Sequence, residues 1–218
     1  MLFAAGFGTR MGALTADCPK PLIQVAGKPL LEHALDLTTG IPTRVVNAHY
    51  LADQIVSHLA GRDIAVSMER PDILDTGGGL RHALPLLGQG PVFTMNTDAV
   101  WRGPNPFDAL RAAWDPDKMD ALLLCVPLAR ATGRKGGGDF TLAQDGALRW
   151  KGDMVYTGVQ ILKTDGLADV ADPAFSLHVV WNAALGKGRC FGVPYPGHWA
   201  DVGHPEGIQL AEEMLDAV

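Results

Sequence analysis

Residues 2–22, LFAAGFGTRMGALTADCPKPL, decide how the rest of the chain is read. A short apolar run, Leu2 to Ala5, stops at Gly6, and Gly8, Arg10, Gly12 and Lys20 follow before apolar residues resume. Glycines so placed let backbone N–H groups turn toward an anion with no Cβ in the way, as phosphate-binding loops require. Two familiar phosphate loops are excluded. Lys20 is followed by Pro21, not by the Ser or Thr of a P-loop. A dinucleotide fingerprint needs a small residue where Met11 stands and an acid at the end of the second strand, where the chain reads Val45-Val46-Asn47.

Outward from that loop, apolar strand patterns alternate with helical spacing. Leu2–Ala5, Thr43–Asn47, Ile64–Met68, Val92–Asn96 and Ala121–Val126 read as strands, and Pro29–Leu37, Ala52–Leu59 and Gly79–Leu86 as helices. This predicts an α/β fold with a mostly parallel, open, Rossmann-like sheet and helices on both faces. Ligands of such sheets sit beyond the carboxyl ends of the strands, so the opening loop, Gly77-Gly78-Gly79 and Asn96-Thr97-Asp98 should converge. The second half is richer in β patterns. A hairpin is centred on Asp145-Gly146, then a strand over Val155–Leu162, a helix over Ser176–Gly188, a strand over Arg189–Val193 and a closing helix over Pro205–Ala217. It is expected to form a small lobe over the sheet, within a single domain spanning residues 1–218.

Composition bounds the partners. Of 218 residues, 47% are hydrophobic and 19% charged, ordinary values for a globular domain. A net charge of −6 argues against a nucleic-acid surface, and no apolar run is long enough to span a membrane. A cytoplasmic protein, a monomer or weak homo-oligomer, is expected. Cys18, Cys125 and Cys190 lack the spacing of a zinc site or disulfide framework, and the seven histidines show no paired ligand spacing on a helix.

Ala4-Ala5-Gly6-Phe7-Gly8-Thr9-Arg10-Met11, Pro19-Lys20-Pro21-Leu22, Gly27-Lys28-Pro29-Leu30, Asp75-Thr76-Gly77-Gly78-Gly79, Asn96-Thr97-Asp98 and Trp199-Ala200-Asp201-Val202-Gly203 occur in this order across nearly the whole chain. The ordered set resembles the sugar-1-phosphate nucleotidyltransferases. Within that family, the compact length and Gly138-Asp139-Phe140 most resemble the N-acetylmuramate 1-phosphate uridylyltransferases of cell-wall recycling. The resemblance implies a sugar 1-phosphate attacking the α-phosphorus of a nucleoside triphosphate, with uridylyl transfer favoured over guanylyl, thymidylyl or cytidylyl transfer. It further implies that Arg10 holds the β- and γ-phosphates, that Lys20 neutralises charge at the α-phosphate and that Asp98 and Asp201 hold Mg²⁺. Ala5, Gly6, Gly8, Thr76, Gly77 and Gly78 would border the nucleotide, and Gly138, Asp139, Thr157 and Gly158 the sugar.

Two departures from the family pattern stand out. The chain opens at Met1-Leu2, whereas relatives commonly have several residues before the first Ala-Ala-Gly, and His204 stands where Thr is common. A noncatalytic nucleotide-sugar sensor is the competing reading, but it would have no use for Arg10, Lys20, Asp98 and Asp201 together. A nicotinamide oxidoreductase is disfavoured by Met11 and Asn47.

Overall fold

The computed structural model describes residues 1–217. Its main sheet runs, edge to edge, β5 (Ala65–Met68), β4 (Val45–Ala48), β1 (Leu2–Phe3), β6 (Val92–Asn96), β12 (Met154–Leu162), β8 (Ala121–Pro127) and β13 (Cys190–Pro194). All these strands are parallel except β12, which is antiparallel to both β6 and β8. The hairpin β10 (Phe140–Leu142) and β11 (Leu148–Trp150) joins the start of β12, turning at Asp145-Gly146. The hairpin, β12, β8 and β13 thus continue the main sheet instead of lying over it.

Alternation along β8 explains the layering. Leu122, Leu124 and Val126 face one core with α1 (Leu30–Leu37), α2 (Ala52–Leu59) and α4 (Pro106–Ala113). Ala121, Leu123 and Cys125 face the opposite core with α3 (Asp75–Leu87) and α5 (His178–Gly186). Burial on both faces is why β8 reads as a continuous apolar run and not as an alternating one. The parallel α/β architecture with helices on both faces therefore stands as expected.

A second, three-stranded sheet was not legible beforehand. β7 (Ala99–Arg102) pairs antiparallel with β14 (His198–Asp201), which pairs in parallel with β9 (Ala131–Thr132). It covers a third core of Met11, Leu30, Val100, Ala200 and Val202, closed by Ala211 and Met214 of α6 (Pro205–Asp216). A short ribbon, β2 (Gln24–Val25) with β3 (Lys28–Pro29), completes this side. Among the described residues no helix is long and apolar enough to cross a membrane.

Candidate active site

Strand β1 is shorter than the apolar run suggests because Asn47 ends it. The Asn47 side-chain oxygen accepts the Ala4 N–H at 2.7 Å, and Thr97 Oγ1 donates to the Phe3 carbonyl at 2.7 Å. The chain then leaves the sheet through Ala5, Gly6 and Gly8. Gly8 has φ +65°, and a Cβ there would lie 2.9 Å from Thr15 Cγ2 and 3.0 Å from Lys20 Cβ. Met11 N–H and Thr15 Oγ1 both donate to the Gly8 carbonyl, so the loop is fixed before any ligand arrives. Gly8→Ala is expected to cost about 1–3 kcal/mol of stability through the left-handed backbone and to displace Lys20. Thermal melting and turnover measured together test this; a variant as stable and as active as the wild type would refute it.

Ala5, Gly6, Gly8, Arg10, Lys20, Thr76 and Asp98 line one cleft of about 300 Å³. Lys20 opens a tight turn, Lys20–Leu22, between two prolines and is itself buried. Its Nζ donates to Asp98 Oδ2 at 2.8 Å. Asp98 is the link between the two sheets, directly after β6 and before β7. Across the β7–β14 register Asp201 faces Ala99, and the Val202 N–H donates to the Asp98 carbonyl at 2.8 Å. Two acids about a hundred positions apart are thereby made neighbours by backbone pairing. A Cβ on Gly203 would stand 2.9 Å from Asp201 Oδ1 and 3.2 Å from Arg10 Nη1, so the glycine leaves that carboxylate and the guanidinium free to share the rim without shifting.

The two acids differ electrostatically. Burial opposes ionisation of Asp98, but Lys20, by charge and hydrogen bond, with Arg10 further off, outweighs it and holds the carboxyl below its ordinary range. Asp201 has no such partner. Burial first and then the Asp98 charge push its carboxyl up, against weaker opposing pulls from Lys20, Arg10 and Arg134. Among the described residues no group of three or more His, Cys, Asp or Glu side chains forms a ready-made metal cluster.

Several expected residues lie elsewhere. Gly77 and Gly78 sit inside α3, not in a loop; both N–H groups donate to the Phe175 carbonyl. Their missing Cβ atoms make way for Phe175 and for the Pro173 carbonyl, at 2.4 Å in each case, so they pack the 173–175 segment and do not line the cleft. Gly138 packs in the same way on the backbone of Gly152 and Asp153. Asp139 is spent internally, accepting from Arg134 at 2.8 Å and from the Tyr156 N–H at 2.9 Å. Thr157 is buried with its hydroxyl on the Leu124 carbonyl, and Gly158, at φ +87°, lets β12 pass Asn96. Thr157 and Gly158 lie within the β12 bulge, between Tyr156 and Gln160.

Sequence reasoning missed Glu69. Glu69 is buried in the cleft wall, where its carboxylate accepts from Asn47 Nδ2 at 2.6 Å and from the Leu74 N–H at 2.8 Å. An acid directly after the apolar strand Ala65–Met68 was the available signal.

Comparison with known proteins agrees with this geometry. The MobA-like NTP transferase domain matches residues 1–188. The chain is 42% identical over 231 aligned positions to an N-acetylmuramate alpha-1-phosphate uridylyltransferase of Caulobacter vibrioides, covering 99% of this chain and 96% of that protein. A protein of the same name from Neisseria meningitidis is 33% identical, with 100% and 98% covered. The solved structure of HddC from Yersinia pseudotuberculosis superposes with a TM-score of 0.76 at 22% identity, over 99% of this chain and 98% of the other, which shows a shared fold.

Proposed function

Because the chain belongs to the sugar-1-phosphate nucleotidyltransferases of the MobA-like NTP transferase family, we propose that it joins N-acetylmuramate 1-phosphate to UTP with release of pyrophosphate, in the recycling of cell-wall sugar. The observation that carries the reading is the juxtaposition of Lys20, bonded to Asp98, with Arg10 and Asp201 around a glycine-lined cleft. Relatives matched over nearly their full length bear that substrate in their names.

The chemistry asks little of a general base. An anionic oxygen of the sugar phosphate attacks the α-phosphorus, the bond from that phosphorus to the bridging oxygen breaks, and the electron pair leaves with pyrophosphate. No proton must be removed from the nucleophile, so catalysis rests on positioning two anions and on countering their charge. Lys20 would move from Asp98 onto the α-phosphate. Arg10, exposed at the rim, would hold the outer phosphates, and the loop at Ala5, Gly6 and Gly8 would present backbone N–H groups.

The donor set fits Mg²⁺. Asp201 is a carboxylate whose ionisation is opposed by burial and by Asp98, a conflict that a dication between the two would relieve. When bound, such an ion offsets charge on the phosphate oxygens. Asp98 and Asp201 would hold it, with water and substrate oxygens completing the shell.

A pyrophosphate-release screen of UTP, CTP, GTP and dTTP against several sugar 1-phosphates tests the assignment. The expected result is the highest kcat/KM for UTP with N-acetylmuramate 1-phosphate. A decisive preference for another base or sugar would move the chain to a sister activity. Intact ligand binding without pyrophosphate release would favour the sensor.

A further inference from the structure

Beside the phosphate cleft lies a second cavity of about 210 Å³, which shares Phe3, Asp75, Thr76 and Asn96 with it. That is below the roughly 300–1,000 Å³ typical of sites for whole ligands, so it suits a substituent of a substrate anchored next door. Its inner wall is built around Gln160, which is fully buried at the centre of the sheet, between Thr94 of β6 and Leu123 of β8. The Gln160 side-chain oxygen accepts the indole N–H of Trp181 at 2.7 Å. This bond fixes which end of the amide is the donor. The other end, Nε2, is buried with no hydrogen-bond partner. A buried amide N–H without a partner costs on the order of 1–3 kcal/mol, which explains its rarity unless a ligand completes it. The rings of Tyr156 and Trp181, packed edge-on with centroids 4.9 Å apart, and the side chain of Leu177 supply the apolar part of a lining that Asp75, Thr76, Asn96, Ser176 and His178 complete with polar groups.

We infer that this cavity reads a carbonyl-bearing substituent of the sugar, with Gln160 Nε2 donating to the carbonyl or carboxyl oxygen and Trp181 acting as the positioning residue that orients the amide. The inference rests on the proposed sugar-1-phosphate substrate. A buried neutral donor flanked by aromatic and aliphatic side chains matches an acyl oxygen and its attached methyl group. Two groups on N-acetylmuramate share this chemistry, the acetamido group and the lactyl carboxyl group. A site built to hydrogen-bond one group discriminates strongly against substrates that lack it.

The test compares kcat/KM, with UTP as donor, for glucose 1-phosphate, N-acetylglucosamine 1-phosphate and N-acetylmuramate 1-phosphate. The wild type should favour acylated sugars. Gln160→Met should lose at least about tenfold on the sugars whose substituent is read and stay within about twofold of wild type on glucose 1-phosphate. Loss on both acylated sugars identifies the acetamido group; loss on N-acetylmuramate 1-phosphate alone identifies the lactyl group. Gln160→Leu, close in volume and without any polar atom, deletes the donor as well and should show the same selective loss even if the methionine variant folds poorly. Trp181→Phe should give a smaller loss confined to the same sugars. Equal losses on all three sugars, or a wild type that does not favour any acylated sugar, overturns the inference. A wild type that favours N-acetylglucosamine 1-phosphate and rejects N-acetylmuramate 1-phosphate overturns the substrate assignment alone.

Discussion

Lys20→Ala is expected to lower turnover at least about a hundredfold, some 2.7 kcal/mol of lost transition-state stabilisation, while the protein stays folded. The lysine is buried against the cleft, its stem beside Gly8 and its ammonium 2.8 Å from Asp98, where it is the main counter-charge. Lys20→Arg should rescue poorly, since a planar guanidinium does not fit a slot shaped for a compact ammonium. Removal also leaves Asp98 without its main counter-charge. The depressed Asp98 carboxyl adds stability above its unfolded-state value, and that contribution disappears as pH falls through the folded-state value. The difference in melting temperature between wild type and Lys20→Ala should therefore be largest near neutral pH and shrink in acid. Near-normal turnover in a folded Lys20→Ala protein would remove the proposed role.

How far the sequence could be read differs from element to element. Strand Val92–Asn96 and helix Ala52–Leu59 were legible to the residue, because periodicity alone specifies them. The segment Thr76-Gly77-Gly78 read as a loop before a helix from Gly79, since glycines are poor helix formers. In the structure Asp75 takes φ +57° at the helix start, and the three glycines that follow admit Phe175, Pro173 and Glu69 at distances no Cβ would allow. Those glycines are set by tertiary contact, which local pattern does not carry. Helix Pro106–Ala113 did leave a local signal, Asn105 capping Phe107 N–H with proline in the first turn, and reading it would have placed the helix.

The site divides along the same line. Arg10, Lys20, Asp98 and Asp201 are recognisable by type and order, and the structure brings them together. Their arrangement depends on the β7–β14 pairing of Trp101 with Trp199 and of Ala99 with Asp201, strands too short and too distant in sequence to be matched by pattern. The residues expected around the sugar lie at or near the β12 bulge, where Asp139 and Thr157 are held in internal hydrogen bonds and Gly138 and Gly158 in close packing. Gln160, two positions further along β12, faces the adjoining cavity instead.

The unequal environments of the two carboxylates give the most discriminating expectation. If the two carboxylates share the proposed ion, Asp98→Asn and Asp201→Asn should each raise the Mg²⁺ concentration for half-maximal rate and depress turnover by at least about a hundredfold, since each would remove one of its ligands. Relief of mutual repulsion would by itself predict that both substitutions stabilise the ligand-free protein. The Lys20 bond changes that for Asp98, so the stability effects should have opposite signs. Asp98→Asn deprives buried Lys20 of its carboxylate and should destabilise the protein above the acid range. Asp201→Asn removes a charge whose folded-state pKa is raised; its ionised form is a cost that grows as pH rises through that value. This variant should melt slightly higher than wild type near neutrality and equally in acid. Neither side chain caps a helix, for α6 starts at His204 without a side-chain cap bond, so loss of a cap cannot mimic these results. In the double variant the loss of rate should be far smaller than the product of the two single losses, since one missing ligand already disables the ion. Mg²⁺ titrations of rate and thermal melts across pH, run on both single variants and the double, decide the matter: independent multiplicative losses with unchanged metal dependence would rule out a shared ion.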